Sequence, residues 1–210
     1  MDRTALRARA WLAGIAALSG IWLVQNGTAA RVVAPQPATA QAFASASGPR
    51  PGSAVAKPLG ASEPVRIRIP RIGVDALMTR LALGADGRLE APSPEESDRA
   101  GWFGGGTPPG AKGTAIVAGH VDDAEGPAVF YGLGSLKKGA RAEIDRADGR
   151  TAVFTVDAVE VYDNDAFPDE RVYGPSGHAA LRLITCGGGY SRETGYQGNV
   201  VVYAHLTGVR

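Results

Sequence analysis

Residues 141–162 read RAEIDRADGRTAVFTVDAVEVY, and this stretch decides the fold class. Apolar and polar residues alternate from Arg141 to Arg146 and again from Thr151 to Tyr162. A period of two is what a strand with one buried face requires, whereas a helix needs a period near 3.6. Between the two runs stands Asp148-Gly149, the dipeptide whose glycine supplies the positive φ of a tight hairpin turn. The second run predicts Val153, Thr155, Asp157, Val159 and Val161 on one face.

On either side of this hairpin the same signal recurs. Residues 65–69 (VRIRI) alternate and stop at Pro70, and residues 74–83 form a less regular run. Residues 114–118 (TAIVA) are apolar almost throughout, as in a strand buried on both faces. Residues 181–186 (LRLITC) and 199–205 (NVVVYAH) complete the set, with short helical turns expected at 92–99 and 129–136. Seven or eight strands with few helices predict an all-β body, a closed barrel or a sandwich, over residues 63–210.

The rest of the chain has another character. Arg3, Arg7 and Arg9 precede an apolar run, and no charge occurs from Ala10 to Ala30. As a helix that window would be about 31 Å long, close to one hydrocarbon core. The preceding arginines orient it with the N-terminus inside and the body outside. Its uncharged length favours an uncleaved transmembrane anchor over residues 1–30. The competing reading is a signal peptide cut near Gly27-Thr28-Ala29. Residues 31–62 are rich in Ala, Pro, Ser and Gly with one aromatic, Phe43, and read as a disordered tether.

Composition excludes several classes. With 210 residues, 44% of them hydrophobic, the chain is long enough for one ordinary core, and a single cysteine forbids an internal disulfide framework. Residues 1–62 hold six basic residues against one acidic; the remainder holds sixteen against twenty. A mildly acidic body argues against nucleic-acid binding. No metal cluster and no cofactor motif are expected.

Cys186 ends an apolar strand and is followed by Gly187-Gly188-Gly189, which clear space beside the sulfur. A buried small hydrophobe, an intermolecular bridge and a nucleophile all remain open for it. A nucleophilic thiol needs a base or a cation nearby. The candidate bases are His120, His178 and His205, with His120 favoured because it ends a buried strand at Ala118-Gly119-His120. Asp122 and Asp123 are candidates to orient its ring. Arg192, six residues beyond Cys186, is the candidate to stabilise an oxyanion.

These segments, AIVAGHVD at 115–122, GPAVFY at 126–131, DAFP at 165–168, VYGP at 172–175, LRLITCGG at 181–188 and NVVVYA at 199–204, resemble the sortases, the cysteine transpeptidases of Gram-positive surfaces, and most of all their actinobacterial class F. The resemblance implies an eight-stranded β-barrel on which Cys186, His120 and Arg192 converge, with Thr185 contributing a hydrogen bond toward substrate. It implies cleavage of an LPXTG-like signal between Thr and Gly through a thioacyl intermediate, which an amine of a peptidoglycan precursor or a pilin resolves. Its partners would be LPXTG-bearing surface proteins, and its location the cell membrane with the catalytic domain outside. Two cysteine-based alternatives differ in chemistry: an L,D-transpeptidase, which would need His and Ser shortly before the cysteine, and a hydrolase using the same site. A non-catalytic tethered surface module would leave the His–Cys–Arg order unexplained.

Overall fold

The expected hairpin forms as β5 (Arg141–Arg146) and β6 (Thr151–Asp163), antiparallel, with Gly149 at φ +80° in the turn. The computed structural model describes residues 33–43, 54–191 and 193–210, and the barrel lies in the unit from Ala34 to Arg210. Its other strands are β1 (Pro64–Ile69), β2 (Val74–Leu81), β3 (Ala100–Phe103), β4 (Gly113–Ala118), β7 (Ala179–Ser191) and β8 (Gly195–Val209). They close in the order β1-β2-β3-β4-β7-β8-β6-β5, with β5 pairing back onto β1. Closure leaves no free sheet edge. The single α-helix among the described residues, α1 (Asp169–Tyr173), is five residues long.

The barrel interior is filled by alternate side chains of every strand, among them Ile67, Ile69, Trp102, Val117, Ile144, Phe154, Leu181, Leu183, Val202 and Leu206. A second cluster lies outside the wall. There Ile116, Ile184, Val201 and Tyr203 pack with Val172 of α1 and with Phe43, Phe103 and Phe167. β4 and β7 are therefore covered on both faces, which is why residues 114–118 carry no clean alternation.

The structure departs from two expectations. Val153, Thr155 and Asp157 do not share a face with Val159 and Val161. The β6–β8 register shifts between Val156 and Ala158, and the core takes Phe154 and Val156 before that point but Val159 and Val161 after it. A bulge inserts one residue, and one residue reverses the facing of everything beyond it. The second departure concerns the tether. Residues 34–43 and 54–62 lie against the barrel. Phe43 N–H donates to Glu160 Oε1 at 2.9 Å, its ring meets Tyr203 edge-on at 5.0 Å, and Arg171 stacks over it at 4.9 Å. Lys138 Nζ donates to the Ala42 carbonyl at 2.6 Å, and Ala56 N–H to the Leu206 carbonyl at 2.9 Å. Composition counts side-chain area and misses a segment held by one aromatic and by its own backbone groups. No helix among the described residues is long and apolar enough to cross a membrane, and the anchor expected over residues 1–30 lies outside them.

Arg146 ties this segment to the β5–β6 turn. Its side chain is fully buried; Nη1 donates to the Pro109 carbonyl at 2.5 Å, and Nη2 to Gly60 O at 2.6 Å and Asp148 Oδ2 at 2.9 Å. Its bond to Asp148, with a further one from Arg150, holds that carboxyl far below the usual carboxylate range. A carboxyl that titrates lower folded than unfolded contributes stability above about pH 4, and that contribution is lost as the pH falls. Arg146→Ala leaves two carbonyls without their donor and empties a fully buried side-chain site, and should cost about 3 kcal/mol. Calorimetry should show the melting temperature falling by roughly 6–12 °C for a domain of this size. A fall below about 2 °C would show that the guanidinium does not hold the turn.

Candidate active site

β4 and β7 run parallel and pair from Gly113↔Ala179 to Ala118↔Ile184. His120 stands two residues past Ala118, and Cys186 two residues past Ile184. Equal offsets past the last paired row of two adjacent parallel strands carry both residues to the same end of the barrel. The two chains stay joined up to that point. Gly119 N–H donates to the Ile184 carbonyl at 3.1 Å, and the Thr185 hydroxyl donates to the Gly119 carbonyl at 2.8 Å.

The His120 loop is packed tightly behind the imidazole. A Cβ on Gly119 would lie 2.7 Å from Val129 Cγ1 and 2.8 Å from Phe130 Cδ2, so this position has no room for a side chain. Phe130 is completely buried, and its N–H donates to the His120 carbonyl at 2.9 Å. The ring itself is held by a group with no side-chain signature: His120 Nε2 lies 2.7 Å from the Pro92 carbonyl oxygen. A carbonyl only accepts, so Nε2 carries the hydrogen, and in the neutral ring Nδ1 is left as the acceptor. Nδ1 is then the nitrogen able to take and return a proton.

Along β7 the side chains alternate, so Thr185 is buried while Cys186 is exposed. Thr185 uses its one hydroxyl proton on Gly119. It couples β7 to the His120 loop. The sulfur of Cys186 reaches solvent but sits between protein walls that displace much of the surrounding water. This desolvation, with the nearby negative charge of Asp122, pushes the thiol above its ordinary value.

The other histidines are not at this end. His205 pairs across from Ala180, six residues back along β7 from Cys186, or about 20 Å at strand rise. There its Nδ1 meets Asp157 at 2.7 Å, and the His178 ring stands 6.3 Å away. The two aspartates both accept bonds from groups other than the His120 ring. Asp122 accepts a bond from the Tyr196 hydroxyl at 2.6 Å. Asp123 builds the loop turn, accepting from Glu125 N–H at 2.7 Å and Gly126 N–H at 2.9 Å and from the Ser97 hydroxyl. Those bonds, the Ser97 one foremost, hold its carboxyl low. Arg192 falls outside the described residues. Flanking it, Tyr190↔Tyr196 and Ser191↔Gly195 extend the β7–β8 hairpin beyond the wall, where the sequence reads as a glycine-rich loop.

An exposed thiol and an imidazole with an accepting nitrogen, brought to one end of a barrel, are the kinds of group that cysteine acyl-transfer enzymes use. The chain matches the sortase domain over residues 67–207 and belongs to the sortase family, an enzyme family of cysteine transpeptidases. Among solved structures it resembles sortase A of Listeria monocytogenes at 20% identity and TM-score 0.51, covering 71% of this chain and 90% of that one. It resembles sortase C-1 of Actinomyces oris at 22% identity and TM-score 0.53, covering 70% and 76%. Sortase C1 of Streptococcus agalactiae, in complex with MTSET, matches at 22% identity and TM-score 0.51, covering 67% of each chain. At these identities the likeness concerns the fold. No curated protein sequence matches the chain.

Proposed function

We propose that the protein is a class F-type sortase held at the outer face of the cell membrane by its N-terminal segment. In this reading His120 Nδ1 takes the Cys186 thiol proton, and the thiolate so formed attacks the threonine carbonyl of an LPXTG-like signal. The Thr–Gly C–N bond breaks, and His120 gives a proton to the departing glycine amine. The thioester that remains is attacked by an amine of a peptidoglycan precursor or a pilin. His120 takes that amine's proton, the new amide forms, and the Cys186 thiolate leaves. Arg192 stabilises the oxyanion in both halves. The observation that carries this reading is the shared β4–β7 register, which brings a thiol and a proton-accepting nitrogen to one end of the barrel.

The test is a quenched LPXTG-type peptide given to the full chain, with mass spectrometry of every product. The expected result is an adduct on Cys186 equal in mass to the peptide up to threonine, converted to an amide when an amine is added. Release of the free acid alone, even with amine in excess, would make the enzyme a hydrolase. Neither adduct nor cleavage across a set of signal variants would overturn the proposal.

A further inference from the structure

In the barrel β7 stands between β4 and β8. A side-chain bond between the loop after β4 and the start of β8 must therefore pass across β7. Tyr196 and Asp122 make such a bond, Oη to Oδ2 at 2.6 Å, in a partly buried setting. Each end is anchored independently. Asp122 pairs across its own loop with Pro127, and the adjoining turn is fixed by Asp123. Tyr196 lies opposite Tyr190 in the hairpin, and the two rings meet edge-on at 5.1 Å. Beneath them the chain runs Cys186-Gly187-Gly188-Gly189. A Cβ on Gly187 would lie 3.1 Å from Val200 N and one on Gly188 3.3 Å from Gly198 N, so the absence of side chains lets the backbone of β8 approach β7 closely here.

We propose that Asp122 and Tyr196 form a clasp across the nucleophile's strand, and that Asp122 acts through it as a positioning residue. The clasp fixes the β7–β8 hairpin against the His120 loop and keeps a negative charge beside Cys186 Sγ. This proposal rests on Cys186 being the reactive thiol of the site. From the loop after β4, Asp122 opposes the thiolate, while Asp123 is itself held low by its bonds to Ser97, Glu125 and Gly126. From the hairpin, Tyr196 holds the Asp122 carboxylate in position. A fixed carboxylate keeps the proton on sulfur, so the resting thiol is guarded against chance electrophiles. It also ties the two walls of the groove into one frame.

The experiment uses the full chain and two variants, neither needing a peptide substrate for its first readout. The rate of Cys186 alkylation by iodoacetamide is followed against pH. Asp122→Asn should move its midpoint down by about half a pH unit or more, raising the rate at pH 7 roughly threefold, because a neutral amide no longer opposes the thiolate. Tyr196→Phe keeps the ring packing and removes the hydroxyl. Amide hydrogen exchange over residues 193–198 should rise at least fivefold in it. An Asp122→Asn profile that overlays the wild type, or unchanged hairpin exchange in Tyr196→Phe, overturns the clasp. If Asp122→Asn does not fold, the Tyr196→Phe exchange decides alone. These readouts survive a failure to find the sorting signal, so the two proposals can fail separately. Where a peptide is cleaved, Tyr196→Phe should raise KM several-fold and leave kcat within about twofold.

Discussion

Cys186→Ala should abolish the covalent adduct and lower turnover by at least about 10⁴-fold, with no change in melting temperature. The sulfur is the one atom on which the chemistry depends, and alanine offers nothing to attack a carbonyl. The fold does not depend on it. Cys186 is exposed, and its place in β7 is set by backbone pairing with Asn199 and by Thr185, whose hydroxyl reaches the Gly119 carbonyl. Removing the sulfur opens no interior cavity, so the usual cost of core truncation does not arise. Intact-mass spectrometry with peptide and a thermal melt make the comparison. Residual turnover above about one part in a thousand would show that the acyl group is carried elsewhere. The wild-type thiol carries its own pH signature. Burial and Asp122 both oppose its ionisation, so alkylation of the free enzyme should reach its midpoint above the ordinary thiol value of about 8.5.

What the sequence revealed and what it concealed have separate physical causes. Seven of the eight strands carry enough alternating or β-branched residues to be read directly. β3 does not. Ala100–Phe103 is four residues with a glycine inside, and it is a strand only because β2 and β4 flank it. The bulge at Val156–Ala158 is invisible because alternation continues on both sides of it and only the facing changes. At the site, the residues of unusual chemistry, Cys186 and His120, are legible from type and from their place at strand ends. The groups that orient them are not. The Pro92 carbonyl is backbone, and any residue would supply it. Tyr196 stands in the sequence among the residues that resemble the sortases, but its bond to Asp122 becomes visible only when the strand order puts β8 on the far side of β7. Residues 34–43 mislead for a related reason, because their order comes from bonds to partners distant in sequence, such as Phe43 to Glu160.

His120→Ala should give the second large effect, a fall in kcat/KM of roughly 10³-fold. In the proposed reaction the departing glycine amine is a poor leaving group unless it receives a proton, and the attacking amine must give one up as the new amide forms. One nitrogen must serve both steps. With Nε2–H committed to the Pro92 carbonyl at 2.7 Å, that nitrogen is Nδ1. His178 is the natural control. It lies near the Ala180↔His205 row of the barrel, about 20 Å from Cys186, and its ring engages Ser176 and His205. His178→Ala should keep kcat/KM within about twofold. Added imidazole should restore part of the rate to His120→Ala, since a small base can enter the space the ring leaves, and should do nothing for Cys186→Ala. If His120→Ala retained more than about a tenth of wild-type kcat/KM while His178→Ala lost most of it, proton transfer would have to run through the outer wall, and the paired offsets of His120 and Cys186 would carry no chemistry.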